Sequence, residues 1–354
     1  LVAAKSFIGA GTNNSIIGNG NGPDFLSSVI VGGDNNRVTG SDSLVVGGGL
    51  NSIGSVQQNS GNQFAAIGGG YRNTIAADYA TIAGGSSNTA AGQSAVVAGG
   101  YRNSATSLDG AVLGGTANVA SGFAAAIGGG STNTASGRQA VVPGGELNVA
   151  GGTNSFAGGT RSVATTAGSF VWSDDATGAK TITTTAPNVF LVRASGGVAF
   201  YSAANLATGV SLAPGSGAWS TLSDRNVKTG IEQVDETRIL AALATMPVSE
   251  WSYVAQGTGI RHLGPMAQDF RAAFGLGEDD KHISTVDEEG VALAAIKALA
   301  NENEARRADI AAKDREIAEL REARRFDENR LAALERRLDA LESAPRTSAV
   351  DSGR

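Results

Sequence analysis

The sequence predicts a mainly β chain with an α-helical C-terminus: a parallel β-solenoid of 15-residue repeats, a β-rich neck, a small α+β domain and a C-terminal coiled coil. Three observations predict it. A Gly pair and an Asn recur at a fixed step through the first 160 residues. Near residue 222 the charged residues and the glycines change places: residues 1–221 carry eight Lys/Arg and eight Asp/Glu, the rest nineteen and twenty-five, while only eight of fifty glycines lie downstream. Finally, an apolar heptad runs through the last sixty residues or so.

The repeat is explicit. Asn73, Asn88, Asn103, Asn118, Asn133 and Asn148 are fifteen residues apart, each preceded at −4 and −3 by a Gly pair such as Gly84-Gly85 or Gly99-Gly100. Asn36 and Asn51 obey the same rule, and the step from Asn51 to Asn73 is fifteen plus a seven-residue insertion. Between these turns lie apolar segments too short to fold alone, among them Thr81-Ile82-Ala83 and Ala95-Val96-Val97. Stacked turn on turn, they would form a parallel sheet over a thin core of Ala, Val and Ile, with Gly and Asn supplying positive-φ corners. Strict spacing with apolar residues in fixed slots argues against a disordered linker. The recurring polar residue is Asn and carboxylates do not recur in register, which argues against a calcium-binding repeat.

The period fails after Gly158-Gly159, and residues 161–217 read as the neck. Ser169–Trp172, Thr181–Thr184, Val189–Val192 and Gly197–Phe200 read as short strands between turns containing Asp, Gly or Pro. One copy has little core there; intertwining with identical chains would bury Phe170, Trp172, Phe190 and Phe200.

Composition removes several function classes. There is no cysteine, so neither a disulfide framework nor a thiolate metal site is available. A net charge of −6 offers no basic patch for nucleic acid, and the apolar runs are too short to span a bilayer. No HExxH, P-loop or zinc spacing occurs, so no cofactor or metal is expected. The chain opens at Leu1 rather than Met, as a processed or truncated product would.

The richest chemistry lies at the boundary, in Ser223-Asp224-Arg225-Asn226-Val227-Lys228-Thr229-Gly230-Ile231. Five positions separate Ser223 from Lys228. In a strand that is roughly 16 Å, on opposite faces; in a helix the two point about 140° apart. They can meet only if the chain turns, and Asp224 and Asn226 favour turns. Two readings follow. Ser223 caps a turn while Lys228 is solvated, or burial lowers the resting lysine pKa of about 10.4 until Lys228 can take the serine proton.

Two resemblances bear on the choice. The Gly/Asn repeats resemble the heads of trimeric autotransporter adhesins of the Yersinia-adhesin type, which form a left-handed parallel β-roll, although the period here is about one residue longer. The Ser223–Ile231 stretch, then Arg261-His262-Leu263-Gly264-Pro265-Met266-Ala267-Gln268-Asp269-Phe270, then Val286–Leu299, resemble in that order the endosialidase-type intramolecular chaperone domain, also called peptidase S74. The resemblance covers roughly residues 218–302. It implies a homotrimer in which this domain helps the preceding β-structure to fold and then cuts itself off. Ser223 would be the nucleophile, Lys228 the base and Leu222–Ser223 the bond cut. It also implies a surface or phage-tail location outside the cell, with a cell-surface or glycan receptor as a further partner. The alternatives are a structural trimerisation module that never cuts and a glycan-degrading spike; the repeats lack the recurrent carboxylate pair that glycoside hydrolysis needs.

His262 and His282 are expected to be structural, Trp251, Tyr253 and Met266 to be core, and residues 266–274 to form a helix after the Gly264-Pro265 turn. From Ile296 a heptad places Ile296, Asn303, Ile310, Ile317, Arg324, Leu331 and Leu338 at a. Leu299, Arg306, Lys313, Leu320, Asp327, Leu334 and Leu341 fall at d. This predicts a coiled coil over 303–345 and a disordered tail over 346–354. Ile at a with Leu at d suits a dimer; the trimer expectation comes from the resemblance.

Overall fold

The computed structural model describes residues 5–17, 27–54 and 64–343. The expected tail and most of the insertion after Asn51 lie outside the described residues. The chain divides into two compact units, Leu1–Leu222 and Ser223–Arg354.

The first unit is a parallel β-solenoid. Each turn contributes one two-residue strand to a first sheet and another to a second, such as Val96–Val97 and Ser104–Ala105. Strands pair in parallel with the same strand one turn on: Val96 with Ala111 and Val97 with Val112 in the first sheet, Thr89 with Ser104 and Ala90 with Ala105 in the second. Thirteen strands join the first sheet and eleven the second. Alternation along each strand sends one residue inward. Ile67, Ile82, Val97, Val112, Ile127 and Val142 stack from the first sheet; Ile75, Ala90, Ala105, Ala120 and Ala135 stack from the second. From Ala90 onward, large side chains from the first sheet face alanines from the second, which keeps the core thin there.

The corners are partly as expected. The second Gly of each pair does adopt positive φ, +85° at Gly115. The repeating Asn does not. It is fully buried, and the residue before it takes the left-handed conformation, as at Arg102, Ala117 and Thr132. That conformation costs a non-Gly residue about 1–2 kcal/mol. In return it turns the amide N–H back onto the preceding turn: Ala117 donates to the Tyr101 carbonyl at 2.9 Å and Thr132 to that of Thr116 at 2.9 Å.

The Asn side chains form a ladder. Asn118 Nδ2 donates to the Gly114 carbonyl of its own turn at 2.9 Å and to the Gly130 carbonyl of the next at 2.9 Å. Its Oδ1 accepts from the backbone and side chain of Asn133, both at 3.0 Å. Each carboxamide thus joins two successive turns.

The glycine pairs are unequal. A Cβ on Gly115 would lie 2.1 Å from the Gly130 carbonyl oxygen, whereas one on Gly114 would meet nothing within 4 Å. Gly115→Ala is expected to destabilise the solenoid by about 2 kcal/mol or more, and Gly114→Ala by less than about 0.5 kcal/mol. Equal denaturation midpoints for the two variants would contradict this packing.

The sheets do not stop at residue 160, where the period is lost. The first continues through Phe156–Thr160, Phe170–Ser173 and Phe190–Arg193, the second through Ser162–Ala164 and Ile182–Thr183. Ala157 and Val171 still point inward, so the core outlasts the Gly/Asn signature. Ser162 takes the Asn slot, donating its N–H to Asn148 Oδ1 at 3.0 Å and its hydroxyl to the Gly158 carbonyl at 2.7 Å. An antiparallel three-stranded sheet, Val198–Tyr201, Gly209–Leu212 and Trp219–Thr221, follows.

Polar bonds close the last turn of the stack. Arg193 donates from Nε to Asp174 Oδ1 at 2.8 Å and from Nη2 to the Asp174 carbonyl at 2.8 Å. Ser195 donates its backbone N–H to Asp174 Oδ2 at 2.6 Å, and its hydroxyl donates to the same oxygen. The Ser195 hydroxyl, then the Arg193 side chain, hold the Asp174 carboxyl well below the usual carboxylate range. A carboxylate depressed in this way contributes stability that is fully present above its unfolded pKa of about 3.9 and is lost as pH falls through the folded value. Amide exchange at Ser195 is expected to keep its protection down to about pH 4 and lose it in stronger acid. Asp174→Asn should already lack it at neutral pH; a fully protected variant would show that the carboxylate does not hold this turn.

The second unit is small. Helix α1, Glu236–Thr245, is capped by Asp235, whose carboxylate accepts from the Arg238 N–H at 3.0 Å. A hairpin pairs Ser249–Trp251 with His262–Gly264. Helix α2, Ala267–Phe274, follows the Gly264-Pro265 turn within the span expected for it and ends on Gly275 at φ +69°. Helix α3, Thr285–Glu342, is 58 residues long, about 87 Å at 1.5 Å per residue. Ile239, Phe270, Phe274 and Val291 form the core of the unit, and Lys297 Nζ bonds Glu236 across α1 and α3. Beyond Ala298 the apolar heptad positions of α3 are exposed, from Ile317 at 44% to Leu341 at 74%.

Candidate functional site

Residues 223–228 begin the second unit, and local chemistry sets their shape. Asp224 caps a single 3₁₀ turn, Arg225–Val227, its Oδ1 accepting from the Asn226 N–H at 2.9 Å and from Asn226 Nδ2 at 3.0 Å. The Lys228 N–H closes the turn on the Arg225 carbonyl at 3.2 Å. This reversal brings Lys228 Nζ to 2.5 Å from Ser223 Oγ, to which it donates. The five-residue gap is thus bridged by the turn that Asp224 and Asn226 favour. Both side chains are exposed in the single chain. Leu222, last residue of the first unit, donates its N–H to the Gly209 carbonyl at 3.1 Å.

The pair has the minimum parts for attack on the adjoining carbonyl: a hydroxyl, a basic nitrogen within hydrogen-bonding reach, and a peptide carbon covalently next to the hydroxyl-bearing residue. Both histidines are engaged elsewhere. His262 Nε2 shares a 2.7 Å bond with Gln256 Oε1 and stacks on Trp251 at 4.7 Å. His282 Nδ1 lies 2.8 Å from Asp279 Oδ2. Asp279 also accepts from the Lys281 and His282 N–H groups at 2.8 and 2.9 Å. The Lys281 backbone bond, then the His282 side chain, hold its carboxyl down to about 2.

Trp251, Tyr253 and Met266 were expected in the core and instead line an open groove with Leu263, Pro265 and Ile283. The hairpin is two strands, and among the described residues its aromatic face stays partly uncovered; Tyr253 is 56% exposed. Nothing in the sequence distinguishes a groove aromatic from a core aromatic at this spacing. Among the described residues, no three His, Asp or Glu side chains gather as a metal site, and no helix is long and apolar enough to cross a membrane.

Fold and site together define a β-solenoid chain followed by a small helical unit that opens on a serine–lysine pair. Residues 223–275 of that unit match the model of the peptidase S74 family, described as chaperone of endosialidase. No curated protein shows significant similarity to the chain.

Proposed function

We propose that this chain is a component of a homotrimeric surface or phage-tail fibre, whose C-terminal unit drives assembly of the solenoid and then detaches itself at Leu222–Ser223. The observation that carries the reading is the 2.5 Å contact between Lys228 Nζ and Ser223 Oγ, inside the segment matched to a chaperone family. The long exposed heptad of α3 is a surface suited to self-association.

The chemistry balances as follows. Neutral Lys228 takes the Ser223 hydroxyl proton as Oγ bonds to the Leu222 carbonyl carbon. The C–N bond then breaks, the Ser223 nitrogen takes the proton from Lys228, and an ester joins Leu222 to Oγ. Water hydrolyses the ester, leaving a Leu222 carboxylate and a fragment with Ser223 at its N-terminus. The attacking group is attached next to its target, so no substrate-binding step is needed. A site that excludes water disfavours the ammonium form of a lysine. Both side chains are exposed in the single chain, so packing of copies around the pair is the step that would switch the reaction on.

The test is the intact mass of the purified full chain alongside its light-scattering mass. Two fragments meeting at Leu222/Ser223 are expected. A whole chain that nonetheless forms trimers would make the C-terminal unit a permanent assembly clamp and remove the peptidase reading.

A further inference from the structure

The two outward faces of the solenoid differ. Outward positions of the second sheet are mostly polar, with Arg37, Thr74, Thr89, Ser104 and Thr134 among them. Outward positions along the twelve-strand path of the first sheet are apolar apart from Thr81 and, at a strand end, Thr160; the one exposed charge in that sheet, Glu146, lies in the short strand Gly145–Glu146 off the path. Its larger members are exposed: Leu44 37%, Val96 38%, Leu113 61%, Val141 38%, Trp172 38% and Phe190 69%. At its C-terminal end Phe156, Phe170 and Phe190 stack ring on ring at 4.5 and 4.9 Å. Scattered exposed apolar residues need no explanation, but a continuous uncharged stripe does.

The geometry points to this face as the surface on which neighbouring copies of the chain pack against one another, in parallel and turn against turn. The inference rests on the assembly reading above and names the surface that the solenoid uses for it. Two arguments select a second copy as the occupant. Strands about 4.8 Å apart over the twelve-strand path make a stripe about 50 Å long and about 10 Å wide, on the order of 500 Å² per copy and 1,000 Å² per pair, the lower bound for a specific interface. A partner must supply an apolar stripe of the same length and repeat, which an identical chain does by construction. Independently, α3 of the same chain exposes a heptad stripe of the kind that parallel copies cover.

The absence of cysteine makes the test direct, because each single substitution introduces one thiol. Val96→Cys and Val141→Cys report on the first sheet, Thr89→Cys and Thr134→Cys on the second. In the single chain, Val96 and Val141 are the more exposed positions. Assembly through the first sheet reverses that order: maleimide labelling of the full chain should be slower at 96 and 141 than at 89 and 134 by about tenfold or more. A variant at 96 or 141 that stays monomeric where the wild type is oligomeric also supports the assignment. Equal or faster labelling at 96 and 141 in a sample that light scattering shows to be oligomeric overturns it and leaves the assembly reading standing. A full chain that is monomeric at every concentration overturns both.

Discussion

Ser223→Ala is expected to leave the chain whole under conditions in which the wild type appears as two fragments meeting between Leu222 and Ser223. Lys228→Met and Lys228→Arg should also slow the cut, by about 10²–10⁴-fold, the range a positioned base contributes. The arginine variant is the more informative. It keeps a long cationic side chain able to donate to Ser223 Oγ, as Lys228 Nζ does at 2.5 Å, but a guanidinium stays protonated and cannot take the hydroxyl proton. If Lys228→Arg cleaves at the wild-type rate, Lys228 is a turn-stabilising residue and not the base. Trimers of Ser223→Ala and wild type should be equally abundant, because assembly precedes the cut. Cleavage in a variant shown to be monomeric would separate the chemistry from assembly and remove the proposed checkpoint.

The second large effect is expected in the Asn ladder. Asn103 is fully buried and its carboxamide donates to the Gly99 and Gly115 carbonyls at 2.8 and 2.9 Å. Its Oδ1 accepts from the Asn118 N–H and from Asn118 Nδ2, both at 3.1 Å. Asn103→Ala leaves the Asn118 N–H and the Gly99 carbonyl without these partners, on two successive turns, while the Gly115 carbonyl keeps its bond from the Tyr101 N–H at 2.9 Å. With about 1–3 kcal/mol for each unsatisfied group, the loss should be about 3 kcal/mol or more. Asn103→Ser should cost less, since Ser162 naturally occupies this slot and keeps the bond to the carbonyl four residues back, at 2.7 Å. Denaturant midpoints and exchange of the Asn118 amide would order the three chains as wild type, Ser, Ala. An alanine variant within about 0.5 kcal/mol of wild type would show that the ladder is not a main source of stability.

The same ladder shows what could and could not be read from the sequence. The fifteen-residue step made a thin core of stacked Ala, Val and Ile legible, because that follows from strand alternation and a constant turn length. The place of the Asn was legible, yet its role was not. Asn tolerates left-handed backbone, so a single turn suggests a corner; its true role is a bond to a neighbour fifteen residues away in the chain. The end of the solenoid was misplaced for a related reason. Gly-Gly and Asn are conspicuous, but the sheets follow the inward slots, which Ala157 and Val171 continue to fill. At the site, Asp224 and Asn226 announced the turn that joins Ser223 to Lys228, whereas the groove beside Trp251 left no such mark. Whether an aromatic is covered depends on a layer the hairpin does not itself encode.

Every interior Asn accepts from the turn after it and donates to that turn and its own, so no rung of the ladder is unique. Excising any fifteen-residue block from Asn88 to Asn133 would rejoin surfaces of the same kind, with the next carboxamide moving into the vacated place. The reach of the solenoid is therefore a count of interchangeable units, to which a turn could be added or removed without a new kind of contact. The cleavage proposed at Ser223 would be indifferent to that count.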